Sequence, residues 1–312
     1  MEFQTKCVIE KPLFSINYSE YFIGLGSCFV DNIGSEMLNI GLRGSVNPLG
    51  IMYNPISIAN AFDIARGKKT IQEGAFFLSK GTFRHWDIHG QWSDSDRNTT
   101  FTTVQNIIEK NKQVFNRSSV FLISLGTSYA WKRKGRVVAN CHQMPQSQFK
   151  RELLDVTEIR LHLEQMLNGY LTESNQRKVI LTVSPVRYLR DGLIDNNRSK
   201  ARLLEVVHQI ADHTERVSYF PAYEIVNDEL RDYRFFKEDM VHPSKVAVEY
   251  VWNKFQEAFF DEETKSYCKA SQQIQKMRDH RIQNPNSMES KKFKEKIQHK
   301  QRELEKRFPF SF

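Results

Sequence analysis

The sequence predicts an α/β fold of three layers, in which a mainly parallel sheet lies between two layers of helices. Short apolar runs typical of strands alternate along the chain with segments whose apolar residues recur at helical spacing. The runs at 120–125 and 179–183 are apolar almost throughout. Strands that are covered on both faces have this composition. Regular alternation of such strands with helices favours a parallel sheet flanked by helices on both faces.

The individual elements follow from the same patterns. The first strand ends near residue 26 and is followed directly by a helix, and a second short strand ends near residue 46. Pro55 opens the next helix, a position that suits proline. Further helices are predicted at about 55–66, 100–115, 156–171 and 199–213, with strands at 120–125, 179–183 and 217–220. A final amphipathic helix carries Val248, Val251, Phe255 and Phe259 on one face.

The chain is predicted to form one domain over residues 1–260 and a charged helical extension over residues 261–312. Within the domain, residues 67–98 are rich in polar and aromatic groups and are expected to be an irregular insertion that runs over the sheet. A polar break at 284–287 separates two helices of the extension, the second at about 289–307. Phe308, Phe310 and Phe312 close the chain. The extension is expected to dock on the domain or on a second subunit, which would make a homo-oligomer, and a flexible tail is the alternative.

Composition limits the class of protein. No apolar run approaches the roughly 18 residues of a membrane span, and residues 1–10 have no export signal, so we expect a cytoplasmic protein without a membrane partner. The cysteines show no paired spacing that would indicate zinc or disulfides, which favours reduced thiols. They are Cys7, Cys28, Cys141 and Cys268. His85 and His89 have no third ligand at a suitable spacing, so neither a metal nor another cofactor is expected.

The formal net charge of +8 raises the question of a nucleic-acid partner. Residues 261–312 contain 13 Lys and Arg against 8 Asp and Glu, so a net +5 lies in the extension. The domain is therefore close to neutral for its size. No basic motif interleaved with aromatic residues is present, so a solvated helical face is the better interpretation and no nucleic-acid partner is expected.

Cys28 is the first candidate for chemistry. It lies where the first strand turns into a helix, a position that lifts a side chain above the sheet edge beside unpaired backbone N–H groups. A nucleophilic thiol suits this position. A small buried hydrophobic residue is the alternative, because that is the role of most free cysteines.

Other candidates lie after later strands or before the last helix. Gly126-Thr127-Ser128 and Ser184-Pro185-Val186-Arg187 follow two of the parallel strands, and ligands bind outside such strand ends. Arg187 could hold a carboxylate or phosphate of a substrate, or form an ion pair that stabilises its loop. Asp239 and His242 are three residues apart, so the carboxylate can orient the imidazole as a base for a thiol. A helix cap is the alternative role for Asp239.

These residues resemble the GSCFA family and, more distantly, the SGNH or GDSL hydrolases. Gly26-Ser27-Cys28-Phe29-Val30 matches the motif that names the first family, and Asp239 with His242 matches the closing Asp-x-x-His block of the second. The resemblance implies an SGNH-hydrolase-like, flavodoxin-like topology. It also implies Cys28 as the nucleophile, in place of the usual serine. The oxyanion hole would comprise the backbone N–H groups of Cys28 and Gly50 and the Ser128 hydroxyl, which replaces an asparagine.

The resemblance implies hydrolysis of an acyl ester, with a small-molecule or carbohydrate ester as the substrate. Acyl transfer to a sugar or another hydroxyl is an alternative, and so is a binding protein that keeps the fold without turnover. Ser27 remains an alternative nucleophile if the motif is shifted by one residue. Ser27, Gly126, His142 and Arg187 are the further candidates for the pocket.

Overall fold

The structure, a computed structural model, describes residues 4–279 and 288–310. The strands are β1 (Tyr21–Gly26), β2 (Arg43–Val46), β3 (Phe77–Ser79), β4 (Thr82–Arg84), β5 (Val120–Leu125), β6 (Tyr129–Arg133), β7 (Arg136–Val138), β8 (Lys150–Leu153), β9 (Lys178–Val183) and β10 (Val217–Phe220). The helices are α1 (Cys28–Asn39), α2 (Pro55–Ala65), α3 (Arg97–Arg117), α4 (Val156–Leu171), α5 (Gly192–Ala211), α6 (Ala222–Glu224), α7 (Lys245–Phe259), α8 (Glu262–Asp279) and α9 (Met288–Arg307).

The central sheet confirms the predicted fold class. Its five strands are all parallel and lie in the order β2-β1-β5-β9-β10. Counted along the chain, this is the flavodoxin-like order 2-1-3-4-5, in which the direction of strand addition reverses between the first and third strands. That reversal leaves a crevice at the carboxyl ends of β1 and β5, where ligands bind in sheets of this kind.

Two hydrophobic cores fill the spaces on the two faces of the sheet. Alternate residues of each strand point to opposite faces, so in β5 Phe121 and Ile123 enter one core while Val120 and Leu122 enter the other. Helices α2 to α5 cover the first core, and α1, α7, α8 and α9 cover the second. The three predicted layers therefore follow directly from the apolar strands.

The insertion is more ordered than the sequence indicated. Residues 67–98 contain the antiparallel β3–β4 hairpin, and Phe76 and Ile88 are buried in the first core instead of only running over the sheet. A second small antiparallel sheet, in the order β7-β6-β8, follows β5. Short strands with several basic residues give no clear alternation, so the sequence did not predict them.

Helix α5 begins earlier than the predicted start at about residue 199. The structure starts it at Gly192, so Asp191-Gly192 and Asn196-Asn197 lie at its first turns. Asn196 is buried, and its side-chain oxygen accepts the backbone N–H of Tyr188 at 2.9 Å. That tertiary hydrogen bond makes a residue of low helix propensity acceptable there.

The extension docks on the domain. Tyr267, Leu304 and Phe308 are buried in the second core, and the Tyr18 and Tyr267 rings stack with their centroids 5.1 Å apart. The predicted break at 284–287 and Phe312 lie outside the described residues. None of the helices in the described parts of the chain combines the length and apolar composition needed to cross a lipid bilayer.

Candidate active site

The turn from β1 into α1 places Cys28 at the switch point of the sheet. Gly26 makes the turn possible: its φ is +136°, and a Cβ there would lie 2.1 Å from the Ser124 carbonyl oxygen of β5. Only glycine tolerates this conformation and this close approach. Cys28 is consequently the first residue of α1 and stands at the carboxyl ends of both β1 and β5.

Ser27 has a structural role in the same turn. It is buried, its hydroxyl lies 2.8 Å from the Ser124 hydroxyl, and it accepts the backbone N–H of Phe29 as the N-cap of α1. Ser27 is not among the residues that line the adjoining pocket. Of the two candidate residues, Cys28 lines the pocket and Ser27 does not.

One pocket of about 320 Å³ brings most of the sequence candidates together. It is lined by Cys28, Gly126, Arg187, Asp239 and His242, and also by Tyr53 from the loop before α2. These residues come from five separate segments of the chain, and the switch point of the sheet is where they converge. A pocket of a few hundred Å³ with convergent polar groups is typical of a site for a small ligand.

Asp239 orients the His242 ring, as the spacing predicted. Its Oδ2 atom lies 2.7 Å from His242 Nδ1, and its Oδ1 atom accepts the backbone N–H groups of Val241 and His242, each at 2.9 Å. The backbone N–H of His242 and then that of Val241 hold the pKa of Asp239 at about 2. A carboxylate only accepts, so Nδ1 carries the proton and Nε2 is left as the acceptor. Ser244, not Asp239, caps α7.

The pKa of the Cys28 thiol lies above its usual value, although the residue is at a helix N-terminus. Burial raises the pKa of Cys28, and the nearby Asp31 carboxylate adds to the rise, while Lys200, the residue's own backbone N–H and Lys237 oppose it. Within the described residues, no hydrogen bond joins the thiol to the His242 ring. The Cys28 thiol therefore keeps its proton near neutral pH.

Lys200 is the main residue that sequence reasoning missed. It is fully buried in α5, and its Nζ atom donates to the carbonyl oxygens of Gly126 at 2.7 Å and Ser184 at 2.6 Å, both of which belong to pocket residues. Burial lowers the pKa of Lys200 to about 7, and Cys28 partly opposes that shift. A chargeable amine therefore lies under the pocket floor and interacts electrostatically with the thiol.

Gly50 does not supply the predicted oxyanion-hole donor. Its backbone N–H donates to the Asn47 carbonyl at 2.8 Å in a tight turn, and Gly50 does not line the pocket. Gly50 has a φ of +89°, and a Cβ at this position would lie 2.1 Å from His89 Cβ. Glycine is therefore the residue that fits this turn. The residue is needed for the turn, and its N–H group is already bonded.

Ser128 does not line the pocket either. It is fully buried, and its hydroxyl bonds to the carbonyl and the hydroxyl of Ser199, both at 3.1 Å.

Two other hydrogen-bond donors lie at the pocket. The Cys28 backbone N–H donates to no other residue in the described part of the protein, and Tyr53 brings a phenol to the pocket. Burial, then the negative charge of Cys28, raises the pKa of Tyr53, so the phenol keeps its proton.

His142 lies beside the insertion and not in this pocket. It is buried, one ring nitrogen bonds to the His85 carbonyl at 2.8 Å, and its ring packs edge-on against Trp86 and Phe77. Burial lowers the pKa of His142 to about 4. A neutral histidine that fills space between aromatic rings is the role that these contacts support.

Two larger clefts lie under the N-terminal segment. They measure about 860 and 650 Å³ and share the lining residues 9–13. Cys7 lines the first, but burial and then the carboxylates of Glu224 and Glu229 raise the pKa of its thiol. Neither cleft contains a nucleophile with an oriented base. Across residues 4–279 and 288–310, no cluster of three or more His, Cys, Asp or Glu could hold a metal ion.

Comparison with known proteins agrees with the motif at Cys28. No curated protein matches the chain significantly. The sequence model of the GSCFA family matches residues 21–255, from the start of β1 into α7. The matched range includes Cys28, Asp239, His242 and Lys200, and it covers most of the chain. This protein therefore belongs to the GSCFA family.

Proposed function

We propose that this protein hydrolyses acyl esters through a thioester on Cys28. The observation that carries the proposal is the convergence of Cys28, His242 and Asp239 on one pocket at the switch point of the sheet. The thiol and the Asp-His pair come from opposite ends of the domain, and a structural role for either would not require them to share a pocket.

The chemistry proceeds in two steps. His242 takes the proton of Cys28, and the sulfur attacks the ester carbonyl to form a tetrahedral intermediate. Collapse of the intermediate breaks the bond to the alcohol, which leaves with the proton from His242. Water then attacks the thioester while His242 takes its proton. The C–S bond breaks, the carboxylic acid leaves, and the proton on His242 returns to the sulfur of Cys28. The Asp239 carboxylate holds the ring and stabilises the imidazolium that forms in both steps.

The proton transfer needs the His242 loop to approach the thiol. Asp239 and His242 have side chains that are about half exposed, 49% and 46%, so a substrate in the pocket can reach the His242 ring. Catalytic hydrogen bonds are often long without substrate and shorten when the substrate binds. We therefore propose that a substrate bound between the Cys28 thiol and the His242 ring brings these two groups within hydrogen-bonding distance.

Two groups are proposed to stabilise the developing oxyanion. The Cys28 backbone N–H lies at the positive end of α1, and the Tyr53 phenol donates from the other wall of the pocket. Lys200 contributes from below, because its positive charge favours the thiolate and opposes the effect of burial. We expect each oxyanion donor to contribute about 3 kcal/mol to transition-state stabilisation.

The test compares rates of p-nitrophenyl acetate hydrolysis among the parent protein and four variants. Cys28→Ala should abolish turnover, and His242→Ala should lower kcat by about two to four orders of magnitude because the general base is lost. Asp239→Asn should have a smaller effect, since the imidazole remains. Cys141→Ala is the matched control, because Cys141 is a second partly exposed thiol outside the pocket. Full activity in both Cys28→Ala and His242→Ala would contradict the proposal.

A further inference from the structure

Arg187 is a partly exposed arginine in the wall of the Cys28 pocket that lacks an acidic partner. Its Nε atom is buried without a hydrogen bond, and within the described residues no ion pair includes its guanidinium. The buried Arg66 and Arg177, by contrast, both contact Glu173. The guanidinium of Arg187 is therefore not neutralised by the described part of the protein and is open to a ligand in the pocket.

The acidic residues of the Arg187 loop and of the pocket do not pair with Arg187 in the described part of the chain. Asp191, on the same loop, is buried against Arg151. Asp239 is the sole acid among the pocket residues, and its two oxygens bind the His242 ring and two backbone N–H groups. The loop ion pair that was the alternative role for Arg187 is therefore not formed in the described structure.

A second cation reinforces the positive side of the pocket. Arg190 also lines it, with its guanidinium carbon 5.1 Å from the centre of the Trp131 ring, and no carboxylate pairs with it in the parts of the chain described here. The remaining wall near Arg187 is apolar, and it includes Val186 and Val241. The pocket thus combines a small apolar wall with one strongly positive side.

We propose that Arg187 binds a carboxylate or phosphate group of the substrate, so that the natural substrate is a small anionic ester. The inference deepens the proposed function and rests on it. A guanidinium presents two parallel N–H donors that match the two oxygens of a carboxylate or phosphate. A pocket of about 320 Å³ admits a compact ester, and binding its anionic group to Arg187 would orient its carbonyl toward Cys28.

The first experiment measures binding without turnover. Isothermal titration calorimetry at constant ionic strength measures the affinity of a Cys28→Ala protein for inorganic phosphate and, separately, for 4-hydroxybenzoate. Arg187→Gln should weaken at least one probe by about 10- to 100-fold, the usual effect of losing a charge-assisted hydrogen-bonding partner. The affinity of Arg187→Lys for the probe should lie between those of the parent and of Arg187→Gln, because lysine keeps the charge but loses the two parallel N–H donors. The probe that binds more tightly identifies the anionic group.

The controls separate a site from general electrostatics. Arg160→Gln removes an exposed arginine of α4 that pairs with Glu164 and should leave both affinities unchanged. Urea unfolding verifies that Arg187→Gln is folded. The proposal is overturned if neither probe binds the parent protein, or if Arg187→Gln binds both probes as tightly as the parent does.

The second experiment measures turnover in the protein with Cys28 intact. The substrates are 4-acetoxybenzoate and its uncharged methyl ester, which share the acetyl group and differ in the carboxylate. Arg187→Gln should lower kcat/KM about 10- to 100-fold for the anion and change the methyl ester by less than about twofold. Equal losses for both esters would overturn the anion site. A third outcome separates the two proposals. If Arg187→Gln loses probe binding but the parent protein hydrolyses neither ester, the anion site is supported and the proposed function is rejected.

Discussion

Replacing Lys200 by Met provides a quantitative test of the buried amine beneath Cys28. Met has a similar length and no charge. Burial lowers the pKa of Lys200 from 10.5 to about 7, so between these values the unfolded chain holds a proton that the folded chain has released. The stability associated with Lys200 is therefore fully present above about pH 10.5 and is lost as the pH falls through about 7.

The magnitude follows from the linkage relation. A full proton of difference changes the free energy of unfolding by about 1.4 kcal/mol per pH unit. From about pH 7 to about pH 9, the stability of the Lys200 protein should rise relative to Lys200→Met by about 2 to 3 kcal/mol. The loss of donors to the Gly126 and Ser184 carbonyls also destabilises Lys200→Met, but by an amount that does not depend on pH.

Urea unfolding at the two pH values measures this difference. Both proteins should carry Cys28→Ala, so that the coupled thiol does not titrate, and their other titrating groups then cancel in the comparison. Lys112→Met, which removes a partly exposed lysine of α3, is the matched control for the loss of one positive charge. A stability difference between the Lys200 protein and its Lys200→Met variant that is the same at both pH values would refute the buried-amine argument.

Three further outcomes follow from the packing and the electrostatics. Gly50→Ala should lower the free energy of unfolding by about 1 to 3 kcal/mol, measured in urea, because of its positive φ and the contact with His89. A chain ending at Phe260 should aggregate in size-exclusion chromatography, because α8 and α9 cover the second core; a monomeric, cooperatively unfolding chain would contradict this. Alkylation of Cys28 by iodoacetamide should accelerate with pH and should be slower in Lys200→Met, as followed by peptide mapping.

The expected effect of the truncation depends on contacts that composition does not show. The composition change after residue 260 predicted a domain over residues 1–260 and a charged helical extension. The structure shows that the few apolar residues of the extension are the ones that matter, since Tyr267 and Phe308 lie against Tyr18 in the core. The average polarity of residues 261–312 does not show that the charged helices α8 and α9 also carry buried apolar residues.

The strand-to-helix turn and the Asp-His spacing could be predicted because both depend on local sequence. Cys28 follows an apolar strand directly, and a carboxylate three residues before His242 reaches its ring within one loop. The parallel sheet also followed from alternation of strands and helices. These features need no knowledge of which distant residues meet.

The oxyanion donors and Lys200 depend on tertiary contacts, so the sequence could not assign them. Whether the Gly50 N–H is free depends on a turn to Asn47, and the direction of the Ser128 hydroxyl depends on Ser199. Lysine is almost never fully buried, so nothing in a helical pattern marks Lys200 as an interior residue. A buried amine is recognised only once Gly126 and its neighbours are seen around it.

The most direct test of the account is the covalent intermediate. The protein is mixed rapidly with p-nitrophenyl acetate, quenched in acid and analysed by mass spectrometry of the intact chain and of its peptides. One added acetyl group is expected on the peptide of Cys28. Hydroxylamine should remove it, and it should be absent from Cys28→Ala. An acetyl group on Ser27 or Cys141, with hydrolysis unchanged in Cys28→Ala, would contradict the assignment of Cys28 as the nucleophile.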